Sequence, residues 1–387
     1  MKNVLIRGPL LSYSGYGTHS RQIYRWLEKQ NNVKVSAALL SWGITPWMIN
    51  PDIEDGLVGR IMKNSSVDLG SKYDVSIQIQ LPNEWDASLA KVNIGVSAFV
   101  ETDRCNPSWI QHCNKMDLIV VPSKHVEDVI RNSGDCQTPV IVIPEAYYEQ
   151  IADKNIEPID LDLGTDFNFL IFGQITGNSP DTDRKNLFNT MKWMCEAFHD
   201  REDVGIVIKT NSGRNTKIDK KVTSMMLQKL LEEIRVGPYP RVHLLHGAMS
   251  SKEIASLYRH PKIKALVSLT RGEGFGLPIL EAAASGMPVI TTSWSGHMDF
   301  MKLGKFIPVS YSLSEISQNR VDNNIFMEGS KWAEADELNA KQRLTKFLKS
   351  SSIPNKWAKD LRDKIIPLFS QEKIERHYSK AFKEFLK

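Results

Sequence analysis

Glu273 and Glu281 stand eight positions apart, on either side of the run Gly274-Phe275-Gly276-Leu277-Pro278. Loop glycines let a ligand approach the backbone, and the free N–H groups of a helix start favour an anion such as phosphate. A carboxylate about one turn into that helix can accept hydrogen bonds from sugar hydroxyls. Arg184, Lys185 and Lys209 each lie just beyond an apolar run or at a helix start, where cations can offset the charge of a diphosphate. The competing reading is a plain turn, an exposed surface glutamate and routine surface charge.

The elements that must position these groups follow from pattern. Ile263 to Thr270 is long enough for one buried strand, and Gly272, Gly274 and Gly276 break it. Pro278 suits a first helical turn, Leu277 to Ser285 is helix-forming, and Gly286 and Pro288 close it before a strand at Val289 to Thr292. Strand, loop, helix and strand make one right-handed parallel unit. Upstream, Phe167 to Gly173 reads as a strand, Leu187 to Phe198 as a helix and Val204 to Ile208 as a strand ending in Lys209. Asn211 to Lys221 reads as a polar loop before a helix through Ile234, and Val242 to Leu245 as a strand ending at His246. Lys305 to Tyr311 holds a late strand.

The first half repeats this alternation. Asn3 to Arg7 is a strand, a loop carrying Gly15 and Gly17 follows, and a helix begins near Thr18. Gly15-Tyr16-Gly17 lacks the spacing of the dinucleotide fingerprint, so the loop is either a tight turn or a backbone surface for a diphosphate or sugar. Strands are expected at 33–40, 75–79, 92–100, 117–121 and 139–143. The third of these, Val92 to Val100, runs into Glu101 and Asp103. Open parallel sheets bind ligands at strand carboxyl ends, which makes that pair an acceptor-side candidate; a solvated loop is the alternative.

A chain of 387 residues with 41% hydrophobic content supports two domains with cores of their own. The four cysteines form no CxxC pair, which argues against a disulfide scaffold or zinc site. No run approaches the length of a membrane span, and the first residues lack a leader pattern, so a cytoplasmic protein is expected. The net charge of +4 permits acidic ligands or anionic surfaces without demanding them.

Glu273-Gly274-Phe275-Gly276-Leu277-Pro278, with Leu280-Glu281-Ala282 and Gly286-Met287-Pro288-Val289-Ile290, resembles the glutamate-x7-glutamate signature of retaining nucleotide-sugar glycosyltransferases of family 4, a group that includes glycogen synthases and mannosyltransferases. The resemblance implies an α/β, GT-B fold: two Rossmann-like domains with parallel sheets facing across a central cleft. It implies an acceptor-side domain at 1–146, a linker at 147–166, a nucleotide-sugar domain at 167–368 and a terminal helix at 369–387 returning to the first domain. The implied catalytic set is Glu273, Lys185 and Arg184. Lys185 matches the family best, and Arg184 is the candidate substitute for an arginine that relatives carry near Gln174. The implied donor contacts are Gly15, Gly17, Lys209, His246, Gly274, Phe275, Gly276, Leu277 and Glu281, with Glu281 on the ribose and Glu273 on the sugar. Ser295-Gly296 partly matches a glycine pair of relatives.

The implied reaction is transfer of a hexose-type sugar, with retention, from a UDP- or GDP-sugar to a hydroxyl of a glycan, lipid or small molecule. The resemblance implies no cofactor beyond that co-substrate and no metal. A lipid acceptor would bring peripheral contact with the cytoplasmic membrane face, with Lys124 to Arg131 and the Lys115 region as basic candidates. Three alternatives remain: transfer to modified DNA bases, which ranks lower because no basic run with interleaved aromatics appears; a nucleotide-sugar epimerase of similar architecture; and an inactive sugar-nucleotide-binding module.

Overall fold

A computed structural model describes residues 1–65 and 73–387. The chain divides into two compact units, 1–146 with 322–327 and 368–387, and 147–321 with 328–367.

The first unit holds β1 (Lys2–Gly8), α1 (Gly15–Glu28), β2 (Val33–Leu39), α2 (Leu57–Lys63), β3 (Tyr73–Ile79), β4 (Ala90–Val96), α3 (Ser108–Cys113), β5 (Leu118–Val121), α4 (Lys124–Ser133) and β6 (Val140–Val142). Its six strands are all parallel, in the order β2-β1-β3-β4-β5-β6. Ser14 caps α1 through its side chain, and Ile23, Tyr24, Trp26 and Leu27 bury one face of that helix. Each such side chain contributes on the order of 1.5–3 kcal/mol when fully buried.

The second unit holds β7 (Phe167–Phe172), α5 (Leu187–Ala197), β8 (Val204–Thr210), α6 (Lys217–Ile234), β9 (Arg241–His246), α7 (Ser251–Tyr258), β10 (Ile263–Ser268), α8 (Leu277–Ser285), β11 (Val289–Thr292), α9 (Met298–Met301), β12 (Ile307–Val309), β13 (Tyr311–Glu315), β14 (Lys331–Ala335), α10 (Glu337–Lys349) and α11 (Ser352–Leu368). Its parallel sheet runs β12-β11-β10-β7-β8-β9. The last helix, α12 (Gln371–Ala381), belongs to the first unit. There Tyr378 packs 5.4 Å from Trp26, and Trp26 Nε1 donates to Ser379 Oγ at 2.8 Å.

Several elements differ from expectation. β4 ends at Val96, and Phe99 in the following turn has φ +51°, so 97–100 is a bend rather than strand. α6 begins at Lys217, inside the stretch expected as a loop, because Thr216 and Asp219 form a capping box. The late strand shortens to Ile307–Val309, and the chain reverses so that β13 pairs antiparallel with β14. The stretch 147–166 falls in the second unit, with Ile151, Ile156 and Leu163 buried. Residues 322–327 fall in the first, where Asn106 Nδ2 donates to the Asn323 and Asn324 carbonyls at 3.2 and 3.3 Å.

Candidate functional site

The second sheet is built outward from β7, with β8 and β9 on one side and β10, β11 and β12 on the other. Strand order therefore reverses between β7 and β10, the kind of switch point at which open parallel sheets bind ligands outside the strand carboxyl ends. Arg184 and Lys185 come from the loop after β7; Glu273 comes from the loop after β10.

They meet there. Lys185 Nζ donates to both Glu273 carboxylate oxygens, at 2.7 and 2.8 Å. Arg184 Nη1 lies 3.7 Å from Glu273 Oε2 and donates to the Gly272 carbonyl at 2.9 Å. Burial pushes the Glu273 carboxyl up, but the Lys185 and Arg184 charges outweigh it and hold the group at about 2. Glu273 is thus a fixed anion held by two cations.

Several residues that the sequence did not single out support this cluster. Asp183 is fully buried; its Oδ1 accepts from Thr176 N and its Oδ2 from Leu187 N, which ties the 174–186 loop to the start of α5. Arg271 donates to the Pro180 and Asp183 carbonyls and pairs with Glu334, lashing the two loops together. Ser295 Oγ accepts from Glu273 N at 2.9 Å, and Gly296 N donates to the Glu273 carbonyl at 2.9 Å. A Cβ on Gly296 would come within 2.1 Å of the Gly274 carbonyl, so this turn can pack against the glycine loop only without a side chain. Ser295 holds φ +84°, a left-handed conformation. The partial glycine match at 295–296 was the only sequence signal for this support.

Glu281 lies in the second turn of α8 and is 4% exposed, which removes the surface-glutamate reading. Tyr258 Oη donates to Glu281 Oε2 at 3.4 Å and to the Pro278 carbonyl at 3.1 Å. Burial pushes the Glu281 carboxyl up to about 8. The Tyr258 ring stacks on Phe172 with centroids 6.4 Å apart, and Lys209 Nζ lies 5.6 Å from the Phe172 centroid. Glu281, Tyr258, Phe172 and Lys209 thus form one contiguous wall. Lys209 is 1% exposed, donates to Asn211 Oδ1 and the Gly247 carbonyl, and is pushed down to about 8 by burial. His246 Nε2 is 2.9 Å from the Ser212 carbonyl. Gly274 and Gly276 are buried, Gly276 with φ +96° as the residue before α8. Phe275 is buried edge-on against Phe300, at 5.4 Å, so its ring is a core group. Leu277 is partly exposed at the helix start.

In the first unit the order reverses between β1 and β3; capped by Ser14, α1 begins at Gly15 rather than near Thr18, so Gly15 and Gly17 stand in its first turn and not in the loop after β1. A Cβ on Gly17 would fall 2.1 Å from the Ser12 carbonyl, so only glycine lets the first turn of α1 pack against the loop before it, whereas the space beside Gly15 is open. Arg21, 2% exposed, donates to the Leu10 and Ser12 carbonyls at 3.0 Å each and pairs with Glu54, which fixes the loop from behind. Glu101 and Asp103 follow β4, one strand further along the sheet. On α4, Lys124 and Arg131 both pair with Glu127, so that helix face carries mixed rather than basic charge.

Residues 226–319 match the family model described as glycosyl transferases group 1. No curated protein matches the chain in sequence at a significant level. Solved structures match along the whole length. Sucrose-phosphate synthase from Thermosynechococcus elongatus is 13% identical, with TM-score 0.65 and 99% of each chain covered. HepE from Anabaena, in complex with UDP and glucose, is 12% identical, with TM-score 0.62, 99% of this chain and 100% of that chain covered. A trehalose-6-phosphate synthase is 9% identical, with TM-score 0.60 and 99% of each chain covered. The fold is GT-B.

Within that fold, the Lys185–Glu273 contact lies at the switch point of the second sheet, and the matched segment contains Glu273, Glu281 and the whole loop–helix unit between them. Among the described residues no group of three or more His, Cys, Asp or Glu side chains is placed to hold a metal ion, and no helix is long and apolar enough to cross a membrane.

Proposed function

We propose that this protein is a retaining glycosyltransferase that moves a hexose-type sugar from a nucleoside-diphosphate sugar to a hydroxyl of a glycan, lipid or small molecule. The observation that carries the reading is the cluster at the sheet's switch point in which partly exposed Lys185 and Arg184 hold buried Glu273, in the loop ahead of the α8 start. The family match over residues 226–319 supports the same chemistry.

In this reading the diphosphate lies over the α8 N-terminus, where backbone N–H groups face it. Lys185, Arg184 and Lys209 supply positive charge as the bond from the sugar to the diphosphate breaks. Glu281 accepts hydrogen bonds from the ribose hydroxyls. Glu273, kept anionic by its cations, accepts from the sugar hydroxyls and fixes the ring for same-face attack. The backbone of 274–277 approaches the donor. Glu101 and Asp103 belong to the acceptor side. No metal takes part. Uridine is the first base to test, since HepE carries UDP, with guanosine as the comparison.

The test is a donor and acceptor screen read by mass spectrometry, with the anomeric configuration of the product assigned by NMR. The expected result is a glycosylated acceptor of retained configuration formed without added metal. Release of an epimerised nucleotide sugar, or donor binding with neither transfer nor hydrolysis, would overturn the reading.

A further inference from the structure

A second cavity lies in the second unit, well apart from the Lys185–Glu273 cluster in the fold. It has a volume of about 520 Å³ and opens between the edge strand β12, α10 and the start of α11. The segment that lines it, Gly304 to Pro308, enters the sheet at the amino end of β12, whereas the donor cluster stands at strand carboxyl ends. Its floor is apolar, from Phe306, Ile307, Phe347 and Trp357. Its charged lining is wholly basic: Lys305, Arg343 and Lys346, with no acidic residue. Lys305 Nζ lies 5.8 Å from the Trp357 ring. Arg343 Nε is buried and has no hydrogen-bond partner among the described residues. A buried guanidinium donor without an acceptor is costly, and an oxyanion would satisfy it with a charge-assisted bond. An apolar floor of this size beneath three cations suits a molecule with an apolar body and an anionic head.

We propose that this cavity binds a soluble amphiphilic anion, one alkyl or aromatic body bearing a phosphate or carboxylate, with the head on Arg343, Lys305 and Lys346 and the body against Phe347 and Trp357. The site is independent of the nucleotide-sugar reading and stands or falls without it.

The test is titration calorimetry of the full chain, saturated with UDP, against decyl phosphate below its micelle concentration. Decanoate, decanol and inorganic phosphate are the comparison ligands. The expected result is one molecule of decyl phosphate bound per chain, at least tenfold tighter than decanol or inorganic phosphate. Arg343→Met should weaken it at least tenfold. Lys346→Gln, at an exposed position, should weaken it about threefold with an unchanged melting temperature, and serves if the arginine variant fails to fold. Several molecules bound per chain, indifference to both substitutions, displacement by UDP, or binding only to anionic vesicles would each overturn the proposal.

Discussion

Lys185 grips both oxygens of Glu273, at 2.7 and 2.8 Å, although the two residues are 88 positions apart in sequence. In the proposed reading an incoming diphosphate competes with Glu273 for this lysine. Replacing Glu273 by Gln should therefore free Lys185. UDP binding should be unchanged or tighter by calorimetry, while single-turnover transfer falls. The loss of one preorganised electrostatic contact is worth roughly 2–4 kcal/mol, or about 30- to 1000-fold in rate. Weaker UDP binding together with full turnover would refute the assignment. The same pair gives a stability signature. The folded Glu273 carboxyl sits at about 2, below its ordinary 4.5, so its contribution is present above pH 4.5 and is lost as pH falls towards 2. Glu273→Gln should flatten that acid limb in pH-dependent melts.

Glu281 behaves in the opposite sense. Its folded value of about 8 lies above the ordinary 4.5, so its contribution to stability is full below pH 4.5 and is lost as pH rises through about 8. In the proposed reading ribose hydroxyls bind the carboxylate, so UDP binding near pH 6.5 should release a proton and should tighten as pH rises to 8. Calorimetry in two buffers of different ionisation heat reads this directly. Glu281→Gln should abolish the proton release, weaken UDP at pH 8 and melt at a less pH-dependent temperature. Equal UDP affinity in the variant would exclude the ribose role.

Lys209 carries a third linkage. Burial lowers it to about 8 from 10.5, and a diphosphate beside it would raise it again. At pH 9, UDP binding should take up a proton in the native protein and not in Lys209→Met, which should also bind UDP more weakly and with less salt dependence. Unchanged proton uptake in the variant would move the linkage to another group.

Ser295 should matter through Glu273 rather than through any ligand. Its Oγ accepts from Glu273 N while its backbone holds φ +84°. Ser295→Ala keeps the unfavourable φ and leaves a buried N–H without its acceptor, at a cost of roughly 1–3 kcal/mol. Ser295→Gly loses the same acceptor but relieves the left-handed backbone, worth roughly 1–2 kcal/mol. Thermal melts should rank native above Ser295→Gly above Ser295→Ala, and both variants should lose turnover more than UDP affinity. A native melting temperature in Ser295→Ala would show the contact to be dispensable.

The sequence by itself determined the alternation of strands and helices, because buried strands read as short apolar runs and helices as periodic ones. It also determined the loop–helix unit around Glu273 and Glu281, because Gly276, Pro278 and Gly286 mark its turn, start and stop locally. Local spacing left open whether Glu281 is a surface residue; only tertiary packing under Tyr258 and α8 buries it and raises its affinity for a proton. Pairing Lys185 with Glu273 required the order of strands in the sheet, since adjacency of β7 and β10 is a property of topology and leaves no mark on either segment. The same holds for Arg271, an ordinary charge in sequence that ties two loops once the strands are neighbours, through the Pro180 and Asp183 carbonyls. Gly17 shows the converse: its type was legible, but the carbonyl that demands it, that of Ser12, became visible only when the loop folded against the first turn of α1.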